Sequence, residues 1–175
     1  SPHAVTISGA VDAWAQLNRD HGRKSLGDIL QPAIKLAREG YAVTPRVSYD
    51  WASQAALMRG DADTAAIFLP GGKVPAAGET HRQPALAATL ARIGAEGPDA
   101  FYKGAVAEEI VEKLQRLGGC HTLADYGGAK GEYVAPIKTA FRGYDVHECP
   151  PNGQGIIALM ILNILSGFNG DGDPM

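Results

Sequence analysis

The sequence has little of what marks several large classes of protein. Two cysteines, Cys120 and Cys149, occur among 175 residues, too few for a disulfide framework, and they leave the compartment and a pairing between them open. Sixteen lysine and arginine residues against 19 aspartate and glutamate residues give a net charge of -3, without a block of one sign. This pattern argues against a nucleic-acid partner. No apolar run reaches the roughly 20 residues of a membrane-spanning helix.

Signatures of covalent catalysis are also missing. The sequence contains no G-x-S-x-G elbow around a nucleophilic serine. Ser1 carries a free α-amine in this numbering, so N-terminal nucleophile chemistry is one interpretation of it, and a fragment boundary is the favoured one. The first residues lack the basic and apolar segments of a signal peptide, so either none existed or the chain begins downstream of it.

The histidines and cysteines do not form a metal motif. The close pairs are Cys120-His121 and His147-x-Cys149. Adjacent residues point to opposite sides of a strand, and neither pair has the gap of two to four residues found in zinc motifs. We therefore expect no metal site and no cofactor.

What is present predicts a mostly helical chain of the α+β class. Apolar residues recur at helical spacing between glycines and prolines. Three such sets are Val11, Trp14 and Leu17; Leu86, Leu90 and Ile93; and Val106, Ile110, Leu114 and Leu117. Ser25, Thr44 and Thr122 stand where helix caps are expected. Pro32 either kinks its helix or divides it into two. We expect one segment, 1–175, with a helical part over 1–131 and a hairpin plus a buried helix over 132–168.

The last third of the chain begins with a predicted β-hairpin. Two strand-like runs, 133–141 and 144–149, flank Arg142-Gly143. Gly143 supplies the positive φ that a two-residue turn needs. Pro136 cannot donate to a ladder, which favours an edge position for the first strand.

The hairpin is followed by a predicted helix from about Gly153 to Ser166, with Asn152 as its N-cap. The helix is apolar nearly all round, which is typical of a buried core helix. Gly153-x-Gly155-x-x-Ala158 resembles a dinucleotide-binding turn, but two prolines separate strand from helix. Glycines that permit close packing of the helix are the favoured interpretation.

An ordered set of elements resembles γ-glutamyltranspeptidases. Gly9-Ala10-Val11-Asp12-Ala13-Trp14 is similar to the G-A-V-D-x-W element of that family. Further matching elements follow in the family's order. They are Leu30 to Gly40, Pro75 to Ala87, Gly97 to Gly104, Gly118-Gly119, Thr122 with Asp125, Phe141 to Tyr144, and Pro150 to Leu165. Together they cover nearly the whole chain and place it in the middle of the family's large subunit.

The resemblance implies a part of a larger enzyme. Members of that family are made as precursors that cleave themselves into a large and a small subunit. The new N-terminal threonine of the small subunit is the nucleophile, in an αββα N-terminal-nucleophile hydrolase fold. It attacks a γ-glutamyl amide such as glutathione, and the γ-glutamyl group passes to an amino acid, a peptide or water. The implied partners are the small subunit and a small γ-glutamyl substrate.

The resemblance transfers no catalytic residue to this chain. Thr80-His81 lies inside the Pro75 to Ala87 element, so Thr80 is not the nucleophilic threonine. Many family members carry Ser-Ser-Gly-Gly after the prolines, where this chain has Asn152-Gly153-Gln154-Gly155. These four residues are the candidate substrate-binding residues.

Two alternatives to a γ-glutamyl enzyme stay open. One is a related amide acylase of the cephalosporin or glutaryl type, and the other is a non-enzymatic helical binding or scaffold domain. The family resemblance points to a periplasmic or extracellular location, with a cytoplasmic one as the alternative.

Overall fold

The computed structural model describes residues 1–168, which form nine α-helices, four short strands and two single turns of 3-10 helix. The helices are α1 (Ala10–His21), α2 (Leu26–Glu39), α3 (Pro45–Met58), α4 (Ala62–Phe68), α5 (Pro84–Glu96), α6 (Asp99–Tyr102), α7 (Ala105–Arg116), α8 (Leu123–Gly127) and α9 (Gly155–Leu165). The strands are β1 (Tyr41–Ala42), β2 (Thr80–His81), β3 (Ile137–Phe141) and β4 (Tyr144–Glu148). The prediction of a mostly helical chain with one hairpin is confirmed, and the β1–β2 pair is an addition to it.

Three helix caps lie where the sequence predicts them, at Ser25, Thr44 and Thr122. The Ser25 hydroxyl accepts a hydrogen bond of 3.0 Å from the Asp28 amide at the start of α2. The Thr44 side chain caps α3 in the same way. At α8, Thr122 and Asp125 form a reciprocal capping box, in which the Asp125 carboxylate accepts from the Thr122 amide at 2.8 Å. These local bonds satisfy amides that have no partner within the first helical turn.

The chain divides into two compact units, 1–131 and 132–175, and the second is described as far as residue 168. In the first unit α2 packs along α5, and α1, α6, α7 and α8 complete the core. The buried residues of this core are Val11, Leu30, Ile34, Ala37, Ala87, Leu90, Ile93, Tyr102, Ala107, Val111 and Tyr126.

Two glycines allow the close approach of α2 and α5. A Cβ on Gly27 would lie 3.0 Å from the Gly94 carbonyl oxygen, and a Cβ on Gly94 would lie 3.0 Å from the Gly27 Cα. The backbones therefore meet directly at this crossing. Pro32 does not divide α2, which is a single helix from Leu26 to Glu39.

The helix predicted from the spacing of Val106, Ile110, Leu114 and Leu117 is confirmed as α7. Ala107, Val111 and Leu114 are its buried residues, whereas Leu117 is 56% exposed. The small side chain of Ala107 is fully covered, because a helix that packs closely buries small residues as readily as large ones.

The second unit contains the predicted hairpin. β3 and β4 pair antiparallel, with Phe141 opposite Tyr144, so that Arg142 and Gly143 form a two-residue turn. Both turn residues have positive φ, 50° and 85°, as a type I′ turn requires. Pro136 lies just before β3 and therefore does not interrupt the ladder.

α9 is not the fully buried helix that its composition predicts. It packs mainly on β3, and the Thr139 hydroxyl forms a hydrogen bond with the Asn163 side chain. Leu159 is its one buried residue, at 5% exposure, whereas Ile161 is 51% exposed. The other exposed apolar residues of α9 are Ile156, Ile157, Met160, Ile164 and Leu165. A two-stranded hairpin covers one face of a helix, so the described residues leave the remaining apolar surface of α9 open.

Candidate functional site

The candidate residues Asn152 to Gly155 lie between β4 and α9. Asn152, Gly153 and Gln154 are exposed, and Gly155 is partly buried as the first residue of the helix. Gln154 is the N-cap, without a side-chain capping bond, so the expectation that Asn152 caps the helix is wrong. The chain makes a turn at Pro151-Asn152 before it enters the helix, which moves the cap two residues along.

Gly155 is needed for packing. A Cβ at this position would lie 2.7 Å from the Cβ and from Oε2 of Glu148 on β4. A Cβ on Gly153 would meet nothing within 4 Å. The packing interpretation of these glycines is therefore supported at Gly155 and not at Gly153. The space beside Gly153, just before the start of α9, is therefore open.

The start of α9 has the chemical means to hold a small polar group. Amides in the first turn of a helix lack intrahelical acceptors, and the partial positive charge there favours anions such as a carboxylate. The exposed amide side chains of Asn152 and Gln154 add donors and acceptors beside it. This arrangement can bind and orient a ligand, but it contains no group that titrates near neutral pH.

A second cluster connects two of the family-like elements, through Asp12 and Tyr102, with Gly131. One Asp12 carboxylate oxygen accepts hydrogen bonds from the Gly131 amide at 2.5 Å and from the Gln16 side chain at 2.6 Å. The Tyr102 hydroxyl donates to the Ser8 carbonyl at 2.6 Å and accepts from the Asp12 amide at 3.2 Å. Burial raises the pKa of Tyr102 above its ordinary value, so the hydroxyl stays protonated as a donor. The cluster is structural, and it explains the aspartate of the G-A-V-D-x-W element.

A charged cavity of about 520 Å³ lies between α4 and α7. The Lys113 ammonium contacts Asp61 and Asp63, each at 2.6 Å. The hydrogen bond from Lys113, followed by those from Thr64, lowers the pKa of Asp61 to about 2. Because the charges are paired with one another, the cluster fits a link between two helices better than a catalytic acid or base.

The histidines fall into two environments. His81 and His121 are buried, whereas His3, His21 and His147 are exposed. His121 Nε2 lies 2.7 Å from the Val5 carbonyl oxygen. Within residues 1–168, no three histidine, cysteine, aspartate or glutamate side chains come close enough together to hold a metal ion. Cys120 and Cys149 are exposed free thiols.

Comparison with known proteins assigns the family. The sequence profile described as gamma-glutamyltranspeptidase matches residues 1–174. The chain is 38% identical over 166 residues to the glutathione hydrolase-like YwrD proenzyme of Bacillus subtilis, which covers 95% of this chain and 32% of that protein. The chain spans about a third of the length of the relatives it matches.

Solved structures agree with this assignment. The gamma-glutamyltranspeptidase of Helicobacter pylori superposes with a TM-score of 0.88 at 27% identity, over 99% of this chain and 51% of that one. The cephalosporin acylase of Bacillus halodurans superposes with a TM-score of 0.88 at 36% identity, over 100% of this chain and 34% of that one. This chain belongs to the gamma-glutamyltranspeptidase family. None of the helices described up to residue 168 is long and apolar enough to cross a membrane.

Two features of this chain escaped sequence reasoning. Asp12 forms hydrogen bonds with Tyr102, 90 residues away in the sequence, and with Gly131, 119 residues away. No local sequence pattern predicts either contact. The neighbours of His81 in the sequence do not predict its burial either, because Thr80 and Arg82 are polar and β2 is only two residues long. His81 lies in the family-like element from Pro75 to Ala87, but that resemblance predicts neither the burial of the ring nor a role for it.

Proposed function

We propose that this chain is one segment, 1–175, of the large subunit of a γ-glutamyltranspeptidase-like enzyme, with a helical part over 1–131 and a hairpin-and-helix part over 132–168. The observation that carries the proposal is the family match over residues 1–174 in a chain that spans only 32% of its Bacillus subtilis relative. That relative is named a proenzyme, which fits a precursor that matures by cleavage.

The chemistry we propose for the parent enzyme is acyl transfer through an N-terminal threonine of the small subunit, in an αββα fold. The threonine hydroxyl oxygen attacks the carbonyl carbon of a γ-glutamyl amide such as glutathione, and the α-amine accepts the hydroxyl proton. Donors aimed at the carbonyl oxygen stabilise its negative charge. The carbon–nitrogen bond then breaks, the proton passes to the departing amine, and water or the amine of an acceptor takes the γ-glutamyl group from the ester.

In this scheme the chain supplies no catalytic residue. We assign Asn152 to Gly155 a binding role, because the exposed amide side chains of Asn152 and Gln154 at the start of α9 suit a carboxylate or amide of the substrate. Replacing Asn152 or Gln154 by alanine in the parent enzyme should raise KM with little change in kcat. Gln54→Ala, on an exposed position of α3, is the matched control. A fall in kcat alone would contradict a binding role.

The small subunit is the partner that we propose for the open face of α9. Six apolar side chains of this helix are exposed in the described chain, from Ile156 at 39% to Ile164 at 63%. A contiguous apolar surface of this kind marks an interaction site. The rest of the parent protein supplies a cover for it in the mature enzyme.

A related acylase is the second candidate, because one structural relative at 36% identity is a cephalosporin acylase. The test is to express the complete reading frame that contains this segment. The mature protein is then offered a chromogenic γ-glutamyl anilide and, separately, a β-lactam with an amide side chain. We expect release of the anilide, and loss of release when the N-terminal threonine of the small subunit is replaced by alanine. Hydrolysis of the β-lactam amide alone would favour the acylase.

The 175-residue chain by itself should match the buffer blank in the same assay, and so should its Ser1→Ala variant. Catalysis by a nucleophile, its base and an oxyanion site is lost as a unit. Turnover by the chain that disappears in Ser1→Ala would make Ser1 the nucleophile and contradict the proposal. A reading frame that contains no downstream threonine nucleophile would favour the scaffold alternative.

A further inference from the structure

His81 is buried among aromatic rings. Its side chain is 2% exposed, and Nε2 has no hydrogen-bond partner. The Trp51 ring of α3 and the Tyr41 ring of β1 both stand edge-on to the imidazole. Their ring centroids lie 4.9 Å and 5.8 Å from the imidazole centroid, respectively. The Phe68 ring of α4 lies nearly parallel to the imidazole at 6.3 Å. One histidine thus joins β1, α3 and α4 to its own strand, β2.

The surroundings of His81 do not favour a positive charge. Trp51, Phe68 and Tyr41 surround the imidazole with three uncharged aromatic rings. On the other side, the described residues that line the neighbouring cavity include no carboxylate, and their one charged side chain is the cationic Arg82. An imidazolium in this position would be buried without an acceptor, which is costly. Burial accordingly lowers the pKa of His81 below its ordinary value of 6.5.

A cavity beside His81 has room for the imidazole ring outside the aromatic cluster. Its volume is about 590 Å³, and its walls come from α4, from β2 and from the start of α5. Ile67, Pro70, Arg82 and Gln83 are among the residues that line it. A protonated ring that turned from the aromatic cluster into this space would gain contact with solvent, which hydrates the imidazolium and screens the charge of Arg82.

We propose that His81 is an acid-sensitive contact within the first unit: the neutral ring holds β2 against α3 and α4, and the protonated ring leaves the aromatic cluster for the cavity. The proposal rests on the orphaned Nε2, the three rings and the cavity, and it does not depend on the γ-glutamyl assignment. Its consequence is that α4 and the β1–β2 pair loosen from α3 when the pH falls.

The direction of the pH effect follows from linkage. In the folded chain His81 binds a proton less readily than in the unfolded chain, whose histidine titrates near 6.5. Below that pH the unfolded state therefore binds more protons, and stability falls as the pH falls. The contribution of the neutral ring is complete above about pH 6.5 and is lost progressively below it. One such proton changes the ratio of folded to unfolded chain by at most about tenfold per pH unit.

The test uses the 175-residue chain with Trp14→Phe, so that Trp51 is the only indole. Trp51 emission and urea unfolding are measured from pH 7.5 to pH 5 in this background, and again with His81→Phe or His3→Gln added. We expect the folded-to-unfolded ratio to fall by up to tenfold per pH unit in the background and in His3→Gln. His81→Phe should remove that dependence.

Proton NMR of the imidazole of His81 supplies a measurement that does not depend on the variant folding. We expect a titration midpoint below 6.5, accompanied by shifts of the Phe68 and Tyr41 ring signals. A midpoint at or above 6.5 would overturn the proposal. The acid-sensitive contact would also be refuted if His81→Phe folds and loses stability with acid to the same extent as the background.

Discussion

The Asp12 carboxylate accepts a 2.5 Å hydrogen bond from the amide of Gly131, a residue 119 positions later in the chain. Gln16, one turn beyond Asp12 on α1, completes the contact by donating to the Gly131 carbonyl at 2.8 Å. A Cβ on Gly131 would lie 3.1 Å from the Asp12 carboxylate, so the glycine allows this close approach. The start of α1 thus anchors the last residue of the first unit.

Asp12→Ala tests this anchor. Hydrogen bonds to a charged group contribute about 1.5–3 kcal/mol each to stability, and the substitution also leaves the Gly131 amide without its acceptor. We expect a loss of roughly 2–3 kcal/mol in the free energy of unfolding, measured by urea denaturation. Asp50→Ala is the control, because Asp50 forms an exposed pair with Arg46 within α3 and should change stability by less than about 0.5 kcal/mol. Equal losses in the two variants would show that the contact with Gly131 contributes no more to the free energy of unfolding than an exposed ion pair does.

The two faces of α9 predict opposite results for similar substitutions. Leu159→Asp would place an unpaired carboxylate at a 5% exposed position and should cost several kcal/mol. Ile161 is 51% exposed, so Ile161→Asp should change the thermal midpoint of the 175-residue chain by no more than a degree or two. In the complete parent enzyme, the same Ile161 variant should become destabilising if the small subunit covers that face. A large effect of Ile161→Asp in the short chain would mean that the helix is buried there.

The hairpin turn can be tested at Gly143. Its φ is 85°, and a Cβ built there would meet no atom within 4 Å, so any effect of substitution comes from backbone strain. We expect Gly143→Val to destabilise by roughly 1–3 kcal/mol. Gly143→Asn should be milder, because asparagine tolerates the left-handed region. Chemical denaturation of both variants measures the difference, and identical losses would contradict the turn assignment.

The link between α4 and α7 predicts a dependence on acid. The pKa of Asp61 is lowered to about 2, first by the hydrogen bond from Lys113 and then by the bonds from Thr64. Its stabilising contribution is therefore complete above the ordinary pKa of 3.8 and is lost as the pH falls toward 2. Carbon NMR titration of Asp61 should show the pKa moving up toward 3.8 in Lys113→Met. Lys103→Met, which removes an exposed partner of Asp99, should leave the Asp61 titration unchanged.

Caps and turns were predictable because their determinants lie within four residues. Ser25, Thr44 and Thr122 each bond to an amide three positions later, and the turn at Arg142-Gly143 follows from a glycine between two strand-like runs. The candidate site was predictable to the same extent. Its residues stand at the start of α9 as expected, with the cap moved from Asn152 to Gln154, and their role in binding stays a prediction.

Burial could not be predicted in the same way, because it depends on contacts with residues that are distant in the sequence. Leu159 and Ile161 are both large aliphatic residues and stand two positions apart, yet only Leu159 is buried. Periodicity carries no information on a helix that is apolar on every side, so only packing could decide which face is covered. On α7 the fully covered residue is Ala107, whose small side chain contributes little to a hydrophobic pattern.

The residues of this sequence by themselves determined the helical content, the caps at Ser25, Thr44 and Thr122, the hairpin turn and, through the order of their elements, the family. The tertiary structure alone decided that Asp12 meets Gly131 and that His81 lies among three aromatic rings. Contacts of this kind form between residues tens of positions apart, and their stability comes from the shape and desolvation of the folded core. Such properties arise only when the whole chain has packed.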